Sequence, residues 1–145
     1  MAQQQVKFDQ FIAAPREKVF AYFADHEKFG RIFGGGVKRI KDAPNTKDVN
    51  GLGSVRSIRA PGGMIEETIS KYEPNSLIEY VVSKGGPIKN HLGHIEFHTV
   101  EGGTQVLYTI SFDPKIPFTG GLIAGVICAG FHRGIDKAVR EIAAA

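Results

Sequence analysis

The sequence predicts an α+β fold in which a curved, seven-stranded antiparallel sheet closes around one long C-terminal helix. Residues 5–12 and most of 37–112 alternate apolar and polar side chains, which is typical of strands with one buried face. Two short helical patterns lie between these regions, and a long one spans 119–144. An antiparallel sheet needs cover on one face, and only the last helix is long enough to lie across it.

Two short helices are predicted between the first and second strands. Pro15 suits the first helical position, where a missing amide hydrogen costs nothing, and a second helix follows Asp25-His26. The triplet 34–36, all glycine, ends this helical portion. The apolar residues of the two helices are Val19, Phe20, Phe23, Phe29, Ile32 and Phe33.

The strands after the glycine triplet form hairpins, because most of the loops between them are short and contain glycine. A chain of 145 residues in this order is most naturally one domain, spanning 1–145. The predicted strands are 5–12, 37–41, 52–60, 64–72, 77–83, 88–100 and 105–112.

The C-terminal helix contains the most apolar segment of the chain, 120–131, which is too short to cross a bilayer and is interpreted as a core helix. Cys128 within it is expected to be a buried, inert thiol. Its glycines each weaken a helix by up to about 1 kcal/mol relative to alanine, so close packing or ligand space is expected to require them. The predicted buried stripe is Leu122, Ile123, Val126, Ile127, Phe131, Ile135, Val139 and Ile142.

Composition argues against several functions. The net charge of +3 comes from scattered basic residues without interleaved aromatic ones, which argues against nucleic-acid binding. Without an apolar stretch of signal-peptide or membrane-span length, a cytoplasmic location and no integral membrane association are expected. No phosphate-binding glycine loop or nucleophile elbow is present, so no cofactor is expected. The oligomeric state is left open.

Three possible metal ligands, His94, Glu96 and His98, alternate along one predicted strand. Alternation places them together on the outer face of the sheet, where no shielded environment or further ligand is evident. A solvated surface is therefore favoured over a metal site. His26 and His132 are expected at a helix end and on a helix surface.

An ion pair is predicted on the apolar face of the sheet. The turn Ala60-Pro61-Gly62-Gly63 pairs two strands so that Arg56 lies opposite Glu67 and Ile58 opposite Ile65. Removing one partner of such a buried pair costs about 3–5 kcal/mol. Two interpretations stand: a structural salt bridge with a satisfied histidine beside it, or polar anchors in a hydrophobic ligand cavity. We favour the second, because Gly93 leaves space on the same face and ligand pockets are mostly apolar with few convergent polar groups.

The residues expected to line this cavity come from the inner face of five strands and from the long helix. They are Arg56, Ile58, Glu67, Ile69, Tyr80, Val82, His91, Gly93, Tyr108, Ile123 and Ile127.

The segment IAAPREKVFAYFAD, followed by this order of elements, resembles the START-related helix-grip superfamily, which includes the birch-pollen-allergen-like proteins and bacterial polyketide cyclase/dehydrase relatives. The stretches GSVRSI, EETISKYEP, LIEYVV and GGPIKNHLGHIEFH are similar to strands of plant abscisic-acid receptors of this fold. The resemblance covers essentially the whole chain and implies a deep cavity for lipids, sterols, polyketides or other hydrophobic small molecules. It also implies that APGGM and KGGPIKN flank the cavity mouth, and that pocket-lining positions are Arg56, Glu67, Tyr80, Val82, His91 and Gly93.

Three functions follow as hypotheses. The leading one is binding or transport of a hydrophobic small molecule of the lipid, polyketide or aromatic class. The first alternative is a cyclase, dehydratase or isomerase with Glu67 or His91 as general base and Tyr80 or Tyr108 as hydrogen-bond donor. The second alternative is a protein-interaction module that presents the apolar segment PFTGGLIAGV.

Overall fold

Alternating side chains produce one antiparallel sheet, and the three helices cover its inner face. The computed structural model describes residues 3–44, 47–60 and 63–145. The α+β class, the seven-stranded sheet and the long final helix are confirmed. The elements are β1 (Gln4–Ile12), α1 (Arg16–Ala24), α2 (His26–Ile32), β2 (Val37–Lys41), β3 (Val55–Ala60), β4 (Gly63–Glu73), β5 (Leu77–Lys84), β6 (Ile88–Val100), β7 (Gly103–Pro114) and α3 (Gly120–Ala144).

The strand order is β1-β7-β6-β5-β4-β3-β2, so α1 and α2 connect the two edge strands across the inner face. Register shifts in three of the strand pairs mark β-bulges, which bend the sheet. The predicted turn after β3 includes Pro61 and Gly62, which lie outside the described residues. The register beside it is the predicted one, with Ala60 opposite Gly63.

The third strand begins at Val55 and not at residue 52, because the chain turns just before it. Gly53 has a φ of 87°, in the left-handed region that favours glycine. Its amide hydrogen-bonds the carbonyl oxygen of Ile69 at 2.9 Å. This turn delivers Ser54 to the interior, where it is fully buried.

The second helix has a side-chain cap and the first has none. Pro15 precedes α1 and has no side-chain acceptor for its first amides. Asp25 caps α2, since its Oδ1 accepts hydrogen bonds from the amides of Glu27 and Lys28 at 3.0 Å. The cap fixes His26 as the first residue of α2.

Helix α3 is buried mainly through its C-terminal half. Phe131 stacks on Phe8 of β1 with ring centroids 3.8 Å apart, and the buried side chains continue along the helix. Between residues 121 and 130 no residue is buried, and Leu122 and Val126 are 74% and 64% exposed. The interpretation of 120–131 as a core helix is therefore wrong for most of that segment. Nearly every position there is apolar or glycine, so periodicity cannot distinguish the covered face from the exposed one.

Cys128 lies in this half of α3 and is a free thiol. It is partly buried rather than buried, and it packs against the core from the edge. The expectation of a fully buried thiol is corrected accordingly.

The glycines of α3 have two different surroundings. A Cβ at Gly134 would lie 1.9 Å from the carbonyl oxygen of Ile32, so this glycine allows α2 and α3 to approach closely. A Cβ at Gly121 or Gly125 would meet no packing neighbour within 4 Å among the described residues. Close packing thus explains Gly134 but not Gly121 or Gly125.

Alanine substitutions should separate these two kinds of glycine. We expect Gly134→Ala to lower the free energy of unfolding by about 1–3 kcal/mol, because the added methyl must displace backbone. Gly125→Ala should raise it by up to about 1 kcal/mol through helix propensity alone. Urea denaturation of both variants tests this, and equal effects would contradict the packing role of Gly134.

Candidate functional site

The predicted ion pair forms on the inner face of the sheet. Arg56 of β3 lies opposite Glu67 of β4 in the register, and its Nε donates to Glu67 Oε1 at 2.8 Å. Arg56 is 2% exposed and Glu67 8% exposed, so both groups have left bulk water. Burial raises the pKa of the Glu67 carboxyl, and the Arg56 guanidinium opposes that shift.

Aromatic rings cover both faces of the Arg56 guanidinium. Its Cζ lies 4.4 Å from the ring centroid of Phe29 in α2 and 4.4 Å from that of Tyr80 in β5. Such contacts stabilise a desolvated cation by about 2 kcal/mol. The Nη2 atom is buried and has no hydrogen-bond partner among the residues the structure describes.

His26 completes the surroundings of Arg56, and the sequence did not identify it as a site residue. Its expected place at a helix end is right, but it is 1% exposed. Nδ1 lies 3.3 Å from Arg56 Nη1 and must accept, because a guanidinium only donates. Nε2 then carries the hydrogen and donates to Ser54 Oγ at 2.9 Å. Burial and the nearby Arg56 charge lower the pKa of His26 to about 3.

His91 is also neutral, and its tautomer is fixed by the backbone. Its Nδ1 accepts a hydrogen bond from the amide of Val82 at 3.0 Å, so the ring hydrogen lies on Nε2. Nε2 has no hydrogen-bond partner in the described part of the chain. Burial, and secondarily Arg56, lower the pKa of His91 to about 4. His91 therefore presents an N–H donor, and its lone pair is already engaged.

Two phenols extend the polar cluster into the core. Tyr80 and Tyr108 are 3% and 1% exposed, and their hydroxyl groups hydrogen-bond each other. Burial raises the pKa of both, so both remain protonated at neutral pH. Tyr80 lies 5.2 Å from His91, centroid to centroid, and so connects the imidazole to the arginine site.

Gly93 has a different role from the one predicted. It lies opposite Tyr80 in the register, and a Cβ there would be 2.2 Å from the Tyr80 ring. The space left by the missing side chain is filled by this ring. Gly93 was expected to leave space for a ligand. Instead, it makes room for the Tyr80 ring that stacks on Arg56.

The apolar residues predicted for the cavity divide into two groups. Ile69 is 2% exposed and belongs to the packed core. The others are only partly buried although they lie on the inner face of the sheet or on α3: Ile58, Val82, Ile123 and Ile127.

Of the two loops predicted to flank the cavity mouth, KGGPIKN lies entirely within the described residues. In the β5–β6 loop, Gly85 and Gly86 have φ values of 77° and 83°. A Cβ on Gly85 would lie 2.5 Å from the carbonyl oxygen of Met64, so this loop packs against the start of β4. The other loop, APGGM, includes Pro61 and Gly62 and is only partly within the described residues.

The alternating histidines lie on the outer face as predicted. His94 donates from both ring nitrogens, to Glu79 at 2.6 Å and to Glu96 at 2.7 Å, while His98 contacts Glu96 at 2.8 Å. Partial burial alone would lower the pKa of His94, but the hydrogen bonds to Glu96 and Glu79 outweigh it and raise the pKa. Within the described ranges no group of three or more side chains is arranged to hold a metal ion. His132 is exposed on α3, as expected.

Comparison with known proteins identifies the family. Residues 3–145 match the family described as polyketide cyclase / dehydrase and lipid transport, so the chain belongs to this family. A search among curated proteins gave no match. In the residues described, no helix is long and apolar enough to cross a membrane.

Solved structures with the same architecture confirm the helix-grip fold. Norcoclaurine synthase from Thalictrum flavum aligns with a TM-score of 0.70 at 12% identity, over 98% of this chain and 87% of that one. Protein MLL2253 from Mesorhizobium loti aligns with a TM-score of 0.68 at 16% identity, over 95% and 98%. The protein Ara h 8.0201 aligns with a TM-score of 0.65 at 14% identity, over 97% and 99%. At these identities the similarity shows the fold alone.

Removing the arginine alone should destabilise the protein much more than removing the pair. We expect Arg56→Met to lower the free energy of unfolding by about 3–5 kcal/mol, because it leaves the Glu67 carboxylate buried without a partner. The double variant Arg56→Met/Glu67→Leu should recover most of this loss. Urea denaturation at neutral pH measures both, and a double variant no more stable than the single one would contradict the coupling.

The buried histidines should make stability depend on pH. Their folded pKa values of about 3 and about 4 lie below the unfolded value of about 6.5, so the unfolded chain binds more protons in that window. Stability is therefore complete above about pH 6.5 and falls on acidification, by about 1.4 kcal/mol per pH unit for each histidine. His26→Gln and His91→Gln should each flatten the slope between pH 6 and about 4.

His94→Gln is the matched control on the outer face. The raised pKa of His94 gives a contribution that is present below about pH 6.5 and lost as the pH rises through the folded value. This variant should lower stability by a constant amount below about pH 6.5, which leaves the acid slope unchanged, and should match wild type at higher pH, where the His94 contribution is lost. An unchanged acid slope in the two inner-face variants would show that these imidazoles are not buried in neutral form.

Proposed function

We propose that the chain binds or transports a hydrophobic small molecule of the lipid, polyketide or aromatic class, held by an oxygen atom that accepts a hydrogen bond from Arg56 Nη2. The observation that carries this proposal is the buried Nη2, which lacks a partner among the described residues. A buried donor without an acceptor costs about 1–3 kcal/mol, and more when it is charged. A ligand oxygen would remove that cost.

A second free donor supports the same ligand chemistry. The Nε2–H of His91 belongs to a ring beside Tyr80, which also contacts the Arg56 guanidinium. Since both free polar atoms are donors, the site is suited to a carboxylate, carbonyl or similar acceptor. It offers little to a ligand whose only polar group is a donor.

Partly covered apolar residues support a ligand between the sheet and α3. Ile58 and Val82 face inward from β3 and β5, and Ile123 and Ile127 lie on the partly buried side of α3. Each still has accessible surface that an apolar molecule would bury. At about 25 cal/mol per Å² of apolar surface, such burial would add binding energy to that of the polar contacts.

Family membership agrees with hydrophobic-ligand binding in general. The norcoclaurine synthase of this fold has been crystallised with dopamine and hydroxybenzaldehyde, so the architecture accommodates aromatic molecules in that protein. We favour binding over catalysis here, because both predicted bases are engaged. Glu67 holds Arg56, and the lone pair of His91 accepts from the Val82 amide. A cytoplasmic location stays a prediction.

Two fluorescent probes that differ by one anionic group test the proposal. Anilinonaphthalene sulfonate offers oxygen acceptors, whereas N-phenyl-naphthylamine has the same apolar rings without them. We expect Arg56→Met/Glu67→Leu to weaken sulfonate binding on the order of tenfold, as expected for a lost hydrogen bond to a charged donor, and to leave the neutral probe nearly unchanged. Fluorescence titration of wild type and variant measures both affinities.

A surface variant controls for probe bound elsewhere. Leu122→Gln removes exposed apolar surface from α3 and should change neither titration. If the double variant binds both probes as wild type does, Arg56 is not a ligand anchor. Native mass spectrometry of the chain purified from its own host would then identify any molecule that co-purifies.

A further inference from the structure

One end of the sheet carries an unusual amount of exposed apolar surface. Because the strands are antiparallel, the ends of β3, β5 and β7 lie beside the starts of β4 and β6. Lys115 continues from β7 and donates its amide to the carbonyl of Pro87, so the segment before α3 adjoins the β5–β6 loop. We call this the basic end. Its exposed apolar residues, with those on the first turns of α3, are Met64 (53%), Ile116 (63%), Phe118 (94%), Leu122 (74%) and Val126 (64%).

The exposed side of α3 changes character along the helix. Between residues 116 and 131 the sequence contains no charged side chain, and the exposed positions of α3 up to residue 129 are glycine, alanine, leucine and valine. Further along, the same helix exposes Arg133, Asp136, Lys137 and Arg140, as a solvated helix does. The solvent-facing side of α3 is thus charged only in the C-terminal half of the helix. Contiguous exposed apolar surface of this kind marks a contact with another body.

Phe118 combines an unfavourable backbone conformation with an exposed ring. Its φ is 70°, a conformation that bulky side chains rarely adopt, and its side chain is 94% exposed. With the ring 94% exposed, packing against the described residues does little to offset the backbone strain. A contact that buries the ring would do so.

The charges around this surface favour a lipid occupant. The basic end exposes Arg59, Lys84, Lys89 and Lys115. Against these four it has two acidic residues, Glu66, which is half-buried, and Asp113, which accepts a hydrogen bond from Asn90. Apolar side chains inside a basic border match a bilayer with anionic headgroups, where each lysine or arginine contributes about as much as a fivefold change in binding.

We propose that the basic end docks on the surface of an anionic lipid bilayer, with Phe118 and Leu122 entering the interface and Lys115 contacting headgroups. The inner face of the sheet is also least covered toward this end: Ile58 and Ile65 are partly exposed, whereas Ile69 and Ile78 farther in are buried. Docking would therefore bring the open side of the inner face to the membrane. The proposal concerns a surface outside the Arg56 site, and its test uses no pocket ligand.

Vesicle co-sedimentation of the full chain tests the apolar part. Wild type should bind vesicles of phosphatidylcholine with phosphatidylserine and bind phosphatidylcholine alone more weakly. Phe118→Asn/Leu122→Gln should reduce binding on the order of tenfold or more, since two apolar side chains no longer enter the interface. The matched control is Leu52→Gln, which removes a 56% exposed leucine at the opposite end and should bind as wild type.

Charge reversal tests the electrostatic part. Lys115→Glu should weaken binding to the phosphatidylserine vesicles by about fivefold or more, and added salt should reduce the difference from wild type. Lys41→Glu changes an exposed lysine at the far end of β2 and should have little effect. Circular dichroism melting of each variant confirms that it is folded.

The outcomes that would overturn the proposal are specific. Absence of wild-type binding to phosphatidylserine vesicles would do so, as would binding that Phe118→Asn/Leu122→Gln leaves unchanged. Sedimentation equilibrium that shows self-association through this surface without vesicle binding would assign it to a second copy of the chain. Failure of the Arg56 probe titration would not affect any of these results.

Discussion

The structure depends on one constraint: a guanidinium has been removed from water into the space between sheet and helices. A buried cation is tolerated only when paired and surrounded by groups that replace its hydration. Arg56 obtains a carboxylate from the next strand, ring faces from α2 and β5, and an imidazole from the start of α2. The arginine therefore joins elements that are distant in sequence. The Asp25 cap on α2 also positions His26 beside Arg56, so it supports the site as well as the helix.

The same constraint bears on the choice between a structural salt bridge and the proposed binding site. In a purely structural bridge, the expected arrangement satisfies every buried donor. Here the carboxylate and one imidazole account for Nε and Nη1, and the remaining nitrogen is enclosed without an acceptor in the described chain. With both nearby imidazoles neutral, the pair of Arg56 and Glu67 is close to charge balance. The polar centre thus presents donors without a large net field, as the proposed ligand, a mostly apolar molecule with one oxygen-bearing group, requires.

Helix α3 combines two surfaces whose requirements differ. Its C-terminal half follows the rules of an amphipathic helix, with Phe131 and Ile142 buried and charges outside. Its N-terminal half is apolar on all sides, yet it lies where only one side meets the protein. Gly134 belongs to the first part, because α2 must approach there, whereas Gly121 and Gly125 border open space. The helix-grip fold thus buries the inner side of the C-terminal half of α3 and leaves most of the N-terminal half exposed.

Strand alternation and loop length determined the order of elements, the sheet and the pairing of Arg56 with Glu67, because these follow from local periodicity and one short turn. They also placed Tyr80, His91 and Tyr108 on the inner face. Only the tertiary structure decided that His26 and Phe29 enclose the arginine, that Gly93 makes room for the Tyr80 ring, and that Leu122 and Val126 face solvent. These contacts depend on how the helices pack on a curved sheet. The spacing of residues along one helix or strand does not specify the surface against which that element will pack.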